Sequence, residues 1–299
     1  MPDPTSNLSI PNHYECYELC VQSPRHIVTF LRALYTSVHD VDPSILAEDF
    51  AGTCAVARRW VADLAQIHHA RAYCADLDPE TLAYARAKSL AELPEDLHTS
   101  IDFAIADCLA TPISTPISSS ASTTLKTLLP PADICFVGNF SIGYAKDRPT
   151  LIHYLTRVRD RLARSRQGFG GGIFVCDTYG GSGSFRLGGI ERTHPGRKGE
   201  LIRYAWKHEA ADPLTGIVTN SISLRVERDG EVIAHYPHAF EYTWRLWSIA
   251  ELRDAFAQVG FTHSAVYTEV NLAPGEHPTP LTNPRDLHDD WVVLLAAFT

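Results

Sequence analysis

Five short apolar runs in the first part of the chain each stop at an acid or an amide. They end at Glu48 and Asp49, at Asp76, at Asp107, at Asn139 and at Asp177. The segments around them follow a different period. Ile27, Phe30, Leu31, Leu34, Tyr35 and Val38 recur at helical spacing, as do Leu151, Tyr154, Leu155, Val158 and Leu162. A helix is also expected from Val56 to Leu64. Another follows Asp78, whose side chain suits a helix start with Pro79 in the first turn. Alternation of strand and helix predicts an α/β fold with a parallel sheet. From residue 201 to 247 the pattern becomes two-residue alternation around turns at Asp212-Pro213 and Asp229-Gly230, which predicts an antiparallel excursion. Ser248 and Glu251 form a capping box that opens a helix ending at Gly260. Two last strands, 262–270 and 291–298, complete the sheet.

The predicted architecture is a doubly wound, Rossmann-like sheet of seven strands, with helices on both faces and an antiparallel β insertion. Residues 1–23 read as an N-terminal tail or cap, with the first twelve loose. Residues 24–200 and 248–299 read as the cofactor domain, and 201–247 as a lid. The Ser-, Thr- and Pro-rich stretch 110–131 reads as a surface insertion. The glycine-rich stretch 178–189 reads as a flexible active-site loop. Arg157, Arg159, Arg161, Arg164 and Arg166 read as the solvated face of a helix.

Composition narrows the function. At 299 residues and 45% hydrophobic content the chain can bury a substantial core. A net charge of −9 argues against nucleic acid as the main partner, because phosphate binding needs clustered positive charge. No run is apolar enough to span a bilayer, and the first residues lack a secretory pattern, so a cytoplasmic protein is expected. The seven cysteines are odd in number and lack CxxC spacing, and the fourteen histidines include no HExxH. Buried, reduced thiols and no metal site are expected.

The chemistry gathers at the strand ends. Asp78 is accounted for as a helix cap, whereas Asp76 is placed to accept the hydroxyls of a ribose. The first loop has one glycine, Gly52, and no GxGxxG turn for a pyrophosphate. A nucleoside cofactor without phosphate has no need of such a turn. At this point the sequence resembles the class I S-adenosylmethionine-dependent methyltransferases. The family's acid followed by Gly-x-Gly-x-Gly maps onto Glu48-Asp49-Phe50-Ala51-Gly52-Thr53-Cys54, with Phe50 and Cys54 in place of the outer glycines. The resemblance extends from Ala47 to the last strand and implies S-adenosylmethionine as cofactor and S-adenosylhomocysteine as product.

It further implies cofactor contacts from Tyr17, Glu48, Phe50, Ala51, Gly52, Asp76, Leu77, Asp107, Cys108 and Asn139. Phe140, Tyr144, Trp244 and Arg245 are the candidates on the acceptor side. His235 and Tyr144 are the candidates for handling a proton. The implied reaction is an in-line displacement at the sulfonium methyl by an O or N atom, helped by alignment and exclusion of water. Asn139-Phe140-Ser141-Ile142 stands where methylases of nucleobases or glutamine amides carry Asn-Pro-Pro-Tyr. With the acidic charge, this favours a small-molecule acceptor. The alternatives are a non-catalytic cofactor-binding protein of the same fold and, further off, a nicotinamide-dependent oxidoreductase.

Overall fold

The structure, a computed structural model, describes residues 10–68, 70–110, 131–163, 171–268, 270–273 and 275–299, apart from the side chains of 65–68. The chain forms two compact units. One is Pro24–Ser184 with Arg245–Thr299; the other is Phe185–Trp244 with the N-terminal residues up to Ser23. Among the described residues no helix is long and apolar enough to cross a membrane. The stretch 111–130, Arg164 and Arg166 lie outside the described residues.

A short helix, α1 (His13–Cys20), opens the described chain with an Asn12–Glu15 capping box and belongs to the second unit. The first unit then runs α2 (Pro24–His39), β1 (Ile45–Asp49), α3 (Ala55–His68), β2 (Arg71–Asp76), α4 (Pro79–Glu92), β3 (Ile101–Ile105), β4 (Ile134–Val137), α5 (Arg148–Arg161) and β5 (Ile173–Gly181). Strands β6 (Gly188–Pro195), β7 (Leu201–Asp212), β8 (Ile217–Arg228) and β9 (Glu231–Arg245) follow. The first unit closes with α6 (Ile249–Val259), β10 (His263–Tyr267) and β11 (Asp290–Phe298). Its seven strands lie in the order β3-β2-β1-β4-β5-β11-β10. The first five are parallel, and β11 runs antiparallel to both of its neighbours.

Alternate side chains enter opposite layers, as the period of two requires when both faces are covered. Leu46, Ile134, Phe136, Ile173 and Val175 join the layer containing α2 and α3. Ala47, Cys135, Val137, Phe174 and Cys176 join the layer containing α5 and α6. All seven cysteines are free and six are buried. Burial pushes the Cys16 and Cys20 thiols up to about 12.

Three expectations need correction. The two ends of the glycine-rich stretch are strand: β5 continues to Gly181 because β11 pairs with it over its whole length, from Ile173↔Phe298 to Gly181↔Asp290, and β6 begins at Gly188. Gly180 lies beneath Trp291, whose ring an added Cβ would strike. The second unit begins near Phe185 instead of 201, since β6 pairs with β7 from Gly188↔His208 to Pro195↔Leu201. Finally, Arg161 is 7% exposed and belongs to the core. In the second unit α1 packs Cys16 and Tyr17 against Ile202, Tyr204, Ile222, Leu224 and Val226 of the four-stranded sheet β6-β7-β8-β9.

Candidate functional site

In the parallel sheet β1 lies between β2 and β4, so the connections from β1 and β4 depart in opposite directions. A crevice at the carboxyl ends of such strands is where open α/β sheets take their ligands. The loop after β1 enters it in an unusual way. Phe50, Gly52 and Cys54 have φ of 53°, 52° and 54°. All three positions of the glycine pattern are therefore left-handed, although two carry side chains. A non-glycine residue held there costs on the order of 1 kcal/mol or more, and persists only where its surroundings over-determine it.

Those surroundings are explicit. Ala51 N–H donates to the Ala75 carbonyl at 3.0 Å, and Cys54 N–H to the Ala51 carbonyl at 2.8 Å. The buried Arg58 guanidinium donates to the Thr53 carbonyl at 2.6 Å and pairs with Glu92 at 3.2 Å. Gly52 N–H donates to Asp76 Oδ2 at 2.7 Å. An added Cβ at Gly52 would meet nothing within 4 Å, so this side of the loop is open.

Asp76, half-buried at the tip of β2, also accepts from Asp78 N–H through Oδ1 at 3.0 Å. An ionised carboxylate accepts about four hydrogen bonds. Two are taken, and the remaining capacity matches the two donors of a vicinal diol. Asp78 does what its spacing implied: its Oδ1 accepts from Glu80 N–H at 2.9 Å and caps α4. Leu77 beside Asp76 is 66% exposed, and so is Ile105, the register partner of Asp76 on β3. Two bare aliphatic side chains next to that carboxylate offer contact to a flat, weakly polar ring. Ile105 was not singled out by the sequence; its pairing with Asp76 brings it to attention. Asp107 is exposed beyond β3 and accepts from Leu109 N–H at 2.8 Å. Cys108 is buried, and its thiol faces the Ala75 carbonyl at 3.9 Å.

The loop after β4 repeats the left-handed backbone. Asn139 and Phe140 have φ of 55° and 63°, and both N–H groups donate to Asp177, at 2.9 Å and 2.6 Å. Burial raises the Asp177 carboxyl to about 7, against the pull of those two donors. Asp177 was read from the sequence only as a strand end. The signal that marks it is an acid directly after an apolar run, here where the parallel pairing of β5 with β4 ends at Cys176. Phe140 meets Tyr179 edge-on at 4.7 Å, while Phe50 stacks on Tyr144 at 5.8 Å and meets Tyr154 at 5.7 Å. The Phe50 ring thus leans into the α5 layer.

Other expected residues have different occupations. Glu48 lies under the loop, 5% exposed, and accepts from Ala57 N–H in the first turn of α3 at 2.9 Å. Burial lifts its carboxyl to about 8, despite the opposing influence of Ala57 N–H and Arg58. Its Oε2 thus serves the first turn of α3 as a helix cap does. Arg245 pairs with Glu251 of α6 at 3.2 Å and lies over Trp247 at 3.9 Å. In the second unit Tyr17 is buried against Phe240 at 4.7 Å and Trp244 stacks on Tyr242 at 4.6 Å. His235 is exposed on the edge strand β9.

Asp49, next to Glu48, anchors the whole loop from below. It is 1% exposed, accepts from Tyr154 OH at 2.9 Å and pairs with the buried Arg161. Burial opposes the Arg161 charge, but Asp49 more than restores it and raises the pKa of the guanidinium.

No protein-family model matches the chain, and no curated protein sequence does. Solved structures do. An S-adenosylmethionine-dependent methyltransferase from Clostridium acetobutylicum superposes with a TM-score of 0.61 at 14% identity, covering 95% of this chain and 96% of that one. A sugar N-methyltransferase from a Streptoalloteichus species gives 0.60 at 14% identity, covering 100% and 98%. An amino pentose methyltransferase from Micromonospora echinaspora, involved in calicheamicin biosynthesis and solved with S-adenosylmethionine bound, gives 0.61 at 13% identity, covering 98% and 99%. The chain has the fold of the class I S-adenosylmethionine-dependent methyltransferases.

Proposed function

We propose that this chain binds S-adenosylmethionine at the tips of β1, β2 and β3 and transfers its methyl group to an O or N atom of a small molecule. One observation carries the choice of cofactor. A dinucleotide needs the N-terminus of the helix after β1 free for its pyrophosphate. Here a buried carboxyl, Glu48, is already bonded to Ala57 N–H in that turn. A phosphate brought there would meet an acid, which disfavours a nicotinamide cofactor. A nucleoside cofactor without phosphate has no such conflict.

The remaining features agree with that cofactor. Asp76 has acceptor capacity for a ribose diol, Leu77 and Ile105 offer apolar contact to an adenine, and the open side of Gly52 leaves room beside the loop. Asp107 and Cys108 follow β3 on the same side, where a purine amine would be read. Asn139 and Phe140, clamped by Asp177, form the next strand tip and are the proposed wall of the methyl-transfer site, with Tyr144 as its polar group. When bound, the cofactor supplies an electrophilic sulfonium methyl. The chain's part is to hold the acceptor in line and to keep water out.

Two of the structural neighbours are described as acting on sugars or an amino pentose. With the acidic net charge, they favour a sugar-like amine or alcohol as acceptor. The experiment is methyl transfer from isotopically labelled S-adenosylmethionine to a panel of amino sugars and glycosides, read by mass spectrometry. A labelled monomethyl product supports the reading. Tight cofactor binding with no product across the panel would favour the non-catalytic alternative.

A further inference from the structure

One position on the four-stranded sheet departs from the rest of its face. Along β8, Val218, Ile222, Leu224 and Val226 are buried and apolar. Asn220 lies among them, 0% exposed, and neither its Oδ1 nor its Nδ2 has a hydrogen-bond partner among the described residues. Asparagine is depleted in strands, and an unsatisfied buried amide costs roughly 1–3 kcal/mol. Leucine would continue the face with neither penalty. A residue that weakens the fold in this way points to a partner the amide is kept for.

Its neighbours define the chemistry of that partner. On β7 the register partner of Asn220 is His208, just before a bulge between His208 and Ala210. On the other side β9 is the next strand of the sheet, and the hydroxyls of Thr219 and Thr243 meet at 3.3 Å. Trp206 meets the His208 ring at 4.4 Å, and Tyr242 stacks on Trp244 at 4.6 Å. Burial holds His208 below the ordinary imidazole range, so no fixed charge stands next to the amide. The cluster is aromatic and neutral, with one group that both donates and accepts. It matches a ring with an apolar C–H face for the aromatics and adjacent hydroxyls for the amide. An ion would find no countercharge, and a hydrocarbon would leave the amide unsatisfied.

We propose that Asn220, opposite His208 on the face where the Trp206 and Tyr242 rings pack, is the hydrogen-bonding anchor of a binding site for a pyranose-type sugar ring. The binding of that ring is inferred from the second unit alone and does not depend on the proposed function. The test compares the full-length wild type with Asn220→Leu and Asn220→Ala. Three measurements are made: thermal midpoint, calorimetric titration with S-adenosylhomocysteine, and saturation-transfer NMR with methyl β-D-glucopyranoside and with D-glucosamine.

Wild type is expected to show saturation transfer from at least one sugar. Asn220→Leu is expected to melt at or above the wild-type temperature and keep its S-adenosylhomocysteine affinity. It should bind the sugar about tenfold more weakly, or not at all. Asn220→Ala should lose the sugar signal equally, which guards against a clash peculiar to leucine. Retention of the sugar signal by both variants overturns the proposal, and so does its absence from wild type with both sugars. Failure of wild type to bind S-adenosylhomocysteine would instead defeat the methyltransferase reading, leaving the sugar measurement to decide the site by itself.

Discussion

The loops after β1 and β4 are built on the same device and end with different capabilities. In each, residues with side chains are held left-handed at a strand tip, and a carboxylate from a neighbouring strand accepts two backbone N–H groups. Asp76 takes one N–H on each oxygen from two separate segments, remains half-exposed, and has an open glycine opposite. Asp177 takes both from one loop, and burial raises its pKa to about 7. The first arrangement leaves acceptor capacity for a ligand. The second is a clamp. What separates an anchor from a clamp is the space left around the carboxylate once its backbone donors are satisfied.

The largest effect should come from the anchor. Asp76→Ala is expected to weaken S-adenosylhomocysteine binding by about a hundredfold or more, since two charged hydrogen bonds are lost. Asp78→Ala removes a helix cap and should cost about 1 kcal/mol of stability, with binding within a few-fold of wild type. Equal losses of affinity would erase the distinction between the two acids. Arg161→Ala strips the counterion from Asp49 under the first loop. Removing one member of a buried pair costs about 3–5 kcal/mol, to be read from denaturant unfolding. A loss well below 1 kcal/mol would show that the loop does not depend on that support.

The clamp should reveal itself in pH dependence. Asp177 and Glu48 have folded-state pKa values of about 7 and about 8, above ordinary carboxyls, with burial the main cause. The folded chain therefore holds protons that the unfolded chain releases near pH 4. Their contribution to stability is complete below that pH and is lost as pH rises through 7 and 8. The thermal midpoint of the cofactor-free protein should fall between pH 5.5 and 8.5, and Glu48→Gln and Asp177→Asn should each flatten the fall. A midpoint that rises over this range would contradict the assignment. The smallest effect is expected of Cys54→Gly. Relief of left-handed strain is offset by the freer unfolded chain, so stability should stay within about 1 kcal/mol of wild type. A loss several times larger would mean that the buried Cys54 side chain, and not the loop backbone, holds this end in place.

Much of this was legible in the sequence for physical reasons. Short continuous apolar runs, buried on both faces, mark β1, β4 and β5, and the acids and amide at their ends locate the crevice. Asp78 and Ser248 announce helix starts because short polar side chains satisfy the first N–H groups. Long-range pairing was not legible. Arg161 looked solvated because its partner Asp49 is 112 positions away, and Thr178 to Gly181 looked like loop because β11 lies at the far end of the chain. The first loop gave the opposite error. Phe50 and Cys54 seemed to abandon the glycine pattern, yet the network from Ala75, Asp76 and Arg58 imposes the backbone that glycines would adopt freely.

Calorimetric titration of the wild-type chain with S-adenosylhomocysteine, with NADH as the control, tests the central claim most directly. Saturable binding of the first compound and none of the second is the expected result. A folded protein that gives no heat with S-adenosylhomocysteine at millimolar concentration, or that binds NADH more tightly, would contradict it.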